Sequence, residues 1–220
     1  MNAAVIVFPG SNREGDAVKA LQRASGKKPQ IVWHGDSELP KVDLIVLPGG
    51  FSYGDYLRTG AMAAHSPIMR EVIARAKKGV RVWGICNGFQ ILAETGLVPG
   101  ILLRNASMKF VCKRVTLNVE SSDSDFTRLC KLKQELNVIV AHGDGNYFAE
   151  KDTVKAMQDN GQIAFTYKDN PNGSLNNIAG VFNKERNVLG MMPHPENAVE
   201  PLHGSTDGAV LFDSVAKVLA

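Results

Sequence analysis

Residues 79–96 place one cysteine between two glycines at the junction of a short strand and a helix. Residues 80–85 are mostly apolar and β-branched, which suits a buried strand, and residues 89–94 are typical of a helix. Cys86 lies between them, with Gly84 and Gly88 two positions away on either side. This is the G-x-nucleophile-x-G elbow with cysteine in place of serine. Such an elbow requires a sharp strand-to-helix turn in which side chains at the two glycines would clash. It therefore predicts an α/β fold.

The predicted turn has chemical consequences for the thiol. The positive end of the helix dipole favours a thiolate at the helix N-terminus. The backbone amide of Asn87 would point at an oxyanion that forms on a carbonyl attacked by Cys86. A buried structural cysteine in a glycine-rich turn is the alternative, because free cysteines are often buried.

Composition indicates an ordinary globular chain. It has 220 residues, 44% of them hydrophobic and 21% charged. The net charge of +3, without a basic cluster, does not favour nucleic-acid binding. Cys86, Cys112 and Cys130 are an odd number without metal-type spacing, which argues against a disulfide framework or a zinc site. Neither a leader peptide nor an apolar run of membrane-spanning length is evident, so we expect no membrane association and a cytoplasmic location.

The first half of the chain predicts a βαβ rhythm, and hence a doubly wound, mostly parallel sheet flanked by helices. Strands are expected at 3–8, 31–33 and 44–47, followed by the strand before Cys86. Ser11 or Asn12 is the expected N-cap of a first helix, and Ser66 with Pro67 opens a second.

The second half predicts additional, shorter strands. They are expected at 113–119, 138–141, 163–167, 178–182 and 188–192, and a helix over 207–219 closes the chain. No linker, repeat or low-complexity segment interrupts the sequence. Residues 1–220 are therefore predicted to form a single domain.

Two histidines are candidate bases for the thiol. His194 follows a predicted strand, and Pro195 favours an extended backbone before it, so His194 and Glu196 can share a face. A histidine can take the thiol proton, and a carboxylate can fix the ring's tautomer. His142, with only Asp144 at comparable spacing, is ranked below it. A loop histidine beside a solvated Glu196 is the structural alternative.

Residues 48–55 follow a predicted central strand, where open α/β sheets bind ligands. The backbone amide of Gly50 is expected to complete an oxyanion hole with Asn87, and the glycines would permit a peptide flip. A plain tight turn is the alternative. Residues 104–110 are polar and could contact a ligand, although such charges are more often solvated.

Together, residues 48–50, 84–90 and 194–196 resemble the class I (triad) glutamine amidotransferases. Residues 9–12, 49–58, 105–110, 141–143, 162–167 and 190–196 extend the similarity over nearly the whole chain. They resemble the branch of free-standing glutaminase subunits of phosphoribosylformylglycinamidine synthase. The cysteine elbow is moderately specific, whereas the Gly-Gly-Phe-Ser-Tyr-Gly-Asp run at 49–55 is strongly specific to this branch.

The resemblance implies a glutaminase that works through a cysteine thioester. Cys86 would attack the side-chain amide of L-glutamine, His194 would protonate the leaving ammonia, and Glu196 would orient the ring. Glutamine would be held by residues Gly49, Gln90, His142 and Gly143.

The resemblance also implies partners. A large synthetase subunit would use ATP and Mg to convert formylglycinamide ribonucleotide to formylglycinamidine ribonucleotide in de novo purine biosynthesis, and a small bridging subunit would join the complex. No cofactor is expected in this chain, which has no phosphate-binding loop. Asp144 stands where the branch usually has glutamate, and Asn197 where it usually has arginine. Both departures could affect partner contacts.

Two other classes stay open at this point. Peptidase-like or chaperone-like proteins share a cysteine elbow on a related sheet, but they usually lack a His-x-Glu after a late strand. A non-catalytic binding subunit could retain the fold after losing the reaction. Trapping of Cys86 by a glutamine-like electrophile would argue against the first class, and measurable glutaminase turnover would exclude the second.

Overall fold

The computed structural model describes residues 1–220, which form eleven strands and six helices. The strands are β1 (Ala3–Val7), β2 (Gln30–Trp33), β3 (Leu44–Leu47), β4 (Arg81–Ile85), β5 (Ile101–Leu103), β6 (Val111–Val119), β7 (Glu135–His142), β8 (Asn146–Phe148), β9 (Ile163–Tyr167), β10 (Ile178–Phe182) and β11 (Val188–Met191). The helices are α1 (Glu14–Ser25), α2 (Ala61–Ala64), α3 (Pro67–Lys77), α4 (Asn87–Glu94), α5 (Lys151–Asp159) and α6 (Ala209–Val218).

Nine strands form one sheet in the order β2-β1-β3-β4-β11-β10-β9-β6-β7. The first five are parallel, and the remaining four extend the sheet through antiparallel pairs. The parallel strands β3, β4 and β11 are fully or almost fully buried, as expected for strands covered on both faces. The predicted mixed sheet with a parallel core is confirmed.

Helices cover both faces of this sheet. On β4, Trp83 and Gly84 point to opposite faces because side chains alternate along a strand. The Trp83 ring packs against Phe212 of α6, with 4.7 Å between ring centroids. On the other face, Gly84 and Gly190 leave room for Leu92 and Phe89 of α4. This arrangement confirms the predicted doubly wound fold.

The parallel arrangement brings the carboxyl ends of three strands together. Leu47 of β3 is in register with Gly84, and Met191 of β11 is in register with Ile85 at the end of β4. The loops that follow these strands therefore begin side by side at one edge of the sheet. Those loops carry the glycines after β3, the cysteine after β4 and the histidine after β11.

The structure departs from the sequence prediction at the start of α1. Neither Ser11 nor Asn12 caps the helix with its side chain; the N-cap is Arg13, also without a side-chain cap. The backbone amides of Asn12 and Arg13 instead donate to the carbonyl of Gly49, at 3.3 and 3.2 Å. A carbonyl from a distant loop thus serves the helix terminus, which the local sequence could not reveal.

Four short elements were not predicted: α2, α5, β5 and β8. Strands β5 and β8 pair only with each other.

The buried apolar side chains form one connected cluster of 61 residues. The single-domain assignment stays a prediction. A bilayer span would need a longer and more apolar helix than any in this fold.

Candidate active site

The turn at Cys86 has the geometry that the elbow motif predicts. Cys86 has φ 51° and ψ −106°, a conformation that L-residues rarely adopt. A side chain at Gly88 would lie 1.9 Å from the carbonyl oxygen of Leu47. One at Gly84 would lie 2.6 Å from the backbone of Gly88. The predicted need for both glycines is confirmed, and the strained turn holds the thiol at the N-terminus of α4.

The loop after β3 brings Gly50 to the same site. The backbone N–H of Phe51 donates to the carbonyl of Gly10, and the backbone N–H of Asn12 donates to the carbonyl of Gly49. Gly50 and Ser11, which lie between these two bonds, therefore form a non-hydrogen-bonded antiparallel pair. In such a pair the N–H and C=O of Gly50 point away from Ser11. Gly50 lines the cavity that also contains Cys86. The Gly50 amide is therefore not used in this pairing, and its part in an oxyanion hole stays a prediction.

The same contacts oppose a peptide flip. Turning the Gly49–Gly50 peptide would remove both hydrogen bonds that the Gly49 carbonyl accepts from Asn12 and Arg13. Each such bond contributes about 1 kcal/mol. The flip that the glycines alone would permit is thus disfavoured by the helix terminus against which the loop rests.

His194 and Glu196 form a buried pair. The Nδ1 atom of His194 lies 2.6 Å from Oε1 of Glu196, and the two side chains are 3% and 1% exposed. The amide of His194 donates to the carbonyl of Ile139 at 2.8 Å, which fixes the backbone against β7. Pro195–Asn197 forms a 3₁₀ turn rather than extended chain. The predicted pairing is present, although a turn produces it.

The pair leaves one imidazole nitrogen free. Nε2 of His194 is buried and has no hydrogen-bond partner. Burial lowers the pKa of His194, but the charges of Glu196 and Cys86 outweigh burial and raise that pKa well above its ordinary value. The Cys86 thiol makes a long contact of 3.8 Å with the carbonyl of Ala141, so it is not tightly bound elsewhere. The arrangement can therefore accept a proton from the thiol at Nε2.

A cavity of about 200 Å³ opens beside the thiol. Its lining includes Gly50, Cys86 and three of the residues predicted to bind glutamine, namely Gln90, His142 and Gly143. Larger depressions of about 550 and 630 Å³ lie elsewhere on the surface and contain none of these residues. We assign the site by the nucleophile rather than by volume.

Gly49 does not line this cavity. A side chain there would lie 2.7 Å from Cε1 of His194. The missing side chain therefore makes room for the imidazole ring. Whether Gly49 also contacts glutamine stays a prediction.

Gln90 connects the elbow with two loops. Its side-chain amide donates to the carbonyl of Asp144 at 2.7 Å and accepts from Asn87 at 2.9 Å. The side-chain oxygen of Asn87 in turn accepts a hydrogen bond from the backbone N–H of Ser52 at 3.2 Å. The buried chain of hydrogen bonds ties the loop after β3, helix α4 and the loop after β7 into one unit.

The His142 ring belongs to a second buried network. Its Nδ1 lies 3.1 Å from Oδ1 of Asn105, and its Nε2 lies 3.3 Å from Nδ2 of Asn172. Burial, followed by the charge of His194, lowers the pKa of His142 to about 4. A neutral ring with both nitrogens occupied and no carboxylate partner is a poor candidate base. The lower rank given to His142 agrees with this geometry.

Sequence reasoning missed several residues of the site. Asn172 looks like a turn residue in the sequence, yet it is buried and its side-chain amide donates to the carbonyl of Gly145 at 2.8 Å. Asp55 also lines the cavity and was not singled out. From the polar segment 104–110, the cavity is lined by Arg104 and Phe110.

Comparison with known proteins identifies the family of this chain. Residues 1–209 match the family described as CobB/CobQ-like glutamine amidotransferase domain. A relative from Rhizobium meliloti, phosphoribosylformylglycinamidine synthase subunit PurQ, is 56% identical, with all of both chains covered. A protein of the same name from Zymomonas mobilis is 53% identical, again over all of both chains.

Solved structures show the same architecture. A chain in the structure of PurLQS from Thermotoga maritima superposes with a TM-score of 0.92 at 45% identity, covering 100% of this chain and 99% of that one. The glutaminase domain of CTPS from Trypanosoma brucei, with bound acivicin, has a TM-score of 0.61 at 14% identity, with 100% and 95% covered. The second likeness concerns the fold alone.

Proposed function

Because this chain belongs to the CobB/CobQ-like glutamine amidotransferase family, we propose that it is the glutaminase subunit of a phosphoribosylformylglycinamidine synthase. It hydrolyses glutamine to glutamate and ammonia. The ammonia serves the ATP-dependent conversion of formylglycinamide ribonucleotide to formylglycinamidine ribonucleotide in de novo purine biosynthesis. The observation that carries this conclusion is 56% identity, over the full length of both chains, to a relative that bears this name.

Glutamine hydrolysis proceeds in two stages, formation and then hydrolysis of a thioester on Cys86. Cys86 transfers its proton to Nε2 of His194 and attacks the amide carbon of the glutamine side chain. The amides of Gly50 and Asn87 stabilise the oxyanion. His194 then gives the proton to the departing ammonia, which leaves a glutamyl thioester on Cys86. His194 next deprotonates a water molecule that attacks the thioester, and glutamate departs as the thiol is regenerated.

Glu196 supports both proton transfers. Its buried carboxylate lies 2.6 Å from Nδ1 of His194. That contact fixes the tautomer that leaves Nε2 facing the thiol and stabilises the imidazolium that forms in each step. It acts through the imidazole ring and does not contact the substrate.

The ammonia must reach a second active site before water protonates it. The partners are a large synthetase subunit and a small bridging subunit, and ATP and Mg bind to the synthetase. No cofactor is assigned to this chain. Two exposed aromatic side chains, Phe51 and Phe110, line the cavity, and the exposed Tyr56 and Leu57 directly follow Asp55 in sequence. These exposed apolar side chains favour docking of the synthetase there. We place the complex in the cytoplasm.

The test separates production of ammonia from its use. Cys86→Ala should abolish glutamine hydrolysis, while the assembled synthetase still works with added ammonia. Cys112→Ala is the matched control, since Cys112 is exposed and should leave both activities intact. Equal loss of both activities in Cys86→Ala would contradict the scheme. Turnover of glutamine by the unaltered chain excludes a binding subunit that has lost the reaction.

A further inference from the structure

Asp55 has a carboxylate oxygen without a partner. It ends the 3₁₀ turn Ser52–Asp55, and its Oδ1 is buried and forms no hydrogen bond. Buried polar atoms are normally bonded, because leaving one unpaired costs roughly 1–3 kcal/mol. Burial, and next the charge of Asp144, raise the pKa of Asp55 to about 6. The protein itself therefore supplies neither a donor nor a cation to this oxygen.

The loop adopts an unfavourable backbone to place Asp55 at the cavity. Three consecutive residues, Tyr53, Gly54 and Asp55, have φ of 55°, 73° and 53°. Non-glycine residues rarely take this left-handed conformation. It is held by the amide of Tyr53, which donates to Pro9 at 2.7 Å, and by the hydroxyl of Tyr53, which lies 2.8 Å from His34.

The cavity has the charges that suit a free amino acid. Asp55 and Asp144 contribute carboxylates, and Arg104 contributes a guanidinium group. The side-chain amide of Gln90 is already engaged at both ends, by Asn87 and by the carbonyl of Asp144. Among the residues that line the cavity, the buried polar atom without a partner is Oδ1 of Asp55. A substrate ammonium group would supply both the hydrogen-bond donor and the positive charge that this oxygen lacks.

We propose that the Asp55 carboxylate binds the α-ammonium group of glutamine, and so selects α-amino acids over amides that lack an amino group. This inference rests on the proposed function, because it assumes that glutamine occupies the cavity beside Cys86. Asp144 adds a second negative charge near the same ammonium group. Asp55 acts on substrate specificity and takes no part in bond making at the thiol.

Asp55→Asn tests the role of the charge alone. Asparagine has nearly the same shape and accepts the left-handed conformation, so the loop should keep its path. Two probes are compared in the assembled complex: a diazoketone analogue of glutamine that alkylates Cys86, and the same diazoketone without the α-amino group. The variant should react roughly 10- to 100-fold more slowly with the first probe, as for loss of a charge-assisted hydrogen bond. Its rate with the second should change less than about threefold.

Glutamine hydrolysis provides a second measurement. In Asp55→Asn, kcat/KM for glutamine should fall by the same factor as the rate with the amino-containing probe. Asp159→Asn is the matched control, because Asp159 is exposed at the end of α5 and forms no side-chain hydrogen bond.

Two results would overturn the inference. Equal slowing with both probes would show that Asp55 acts only on loop structure. A selective loss in Asp144→Asn, with Asp55→Asn unchanged, would assign the ammonium group to the other carboxylate. Failure of the unaltered complex to hydrolyse glutamine would instead refute the proposed function, so the two failures are distinguishable.

Discussion

Gly49 provides a sharp test of how the base is positioned. A methyl group at position 49 would lie 2.7 Å from Cε1 of His194. This is roughly 0.8 Å short of an ordinary carbon–carbon contact of about 3.5 Å. The backbone at Gly49 is not in the left-handed region, so alanine can adopt its conformation. The strain must therefore be relieved by movement of the imidazole ring or of the loop.

Neither group moves freely. The Nδ1 atom of the His194 ring lies 2.6 Å from Oε1 of Glu196. The backbone N–H of His194 donates to the carbonyl of Ile139 at 2.8 Å. The loop is held by the two amides at the start of α1. Since a misplacement of about 1 Å can cost roughly 100-fold in rate, we expect Gly49→Ala to lower the glutaminase kcat by about 10- to 100-fold. The KM for glutamine should change less than about threefold.

The assay is steady-state glutamine hydrolysis by the assembled complex, with ammonia-dependent synthesis measured in parallel. Ammonia-dependent synthesis should be unchanged. Gly15→Ala is the matched control, because a methyl group there meets nothing within 4 Å and should only stabilise α1. An unchanged kcat in Gly49→Ala would refute the inference that Gly49 positions the His194 ring. If KM rose while kcat stayed unchanged, the result would also favour the predicted contact between Gly49 and glutamine.

Two further predictions concern the base and the partner. In single-turnover assays, His194→Ala should be nearly as damaging as Cys86→Ala, whereas Glu196→Gln should cost roughly 10- to 100-fold, because a neutral amide retains a hydrogen bond but loses the charge. His142→Ala should retain thioester formation, and a larger loss there than in His194→Ala would show that the base is misassigned. Adding the synthetase subunits should raise the glutaminase kcat, because ammonia released before a synthetase can receive it is protonated and lost as a nucleophile. Equal kcat for the free chain and the complex would contradict activation by the partner.

The sequence predicts local features of this protein well. The elbow at Cys86 depends on neighbouring residues, so the strand, the turn and the helix are all visible in one short stretch. The pairing of His194 with Glu196 is also local, although a 3₁₀ turn rather than the expected extended chain produces it. The central strand Leu44–Leu47 is uniformly apolar, and its bounds agree with the prediction.

Features that depend on distant contacts could not be predicted in this way. The cap of α1 is the carbonyl of Gly49, which arrives from a loop more than thirty residues away in sequence. Asn172 looks like a turn residue until the fold places it against Gly145. Asp55 reaches the cavity only because three successive residues adopt a left-handed backbone. No pattern of hydrophobicity in the sequence reports such a path.

The central claim is that Cys86 carries the glutamyl group during glutamine hydrolysis. The most direct measurement is mass spectrometry of the chain after acid quenching of the complex during turnover. A glutamyl adduct should be found on the peptide that contains Cys86, and on neither Cys112 nor Cys130. Active hydrolysis with Cys86 unmodified, or with the adduct on another residue, would contradict the account.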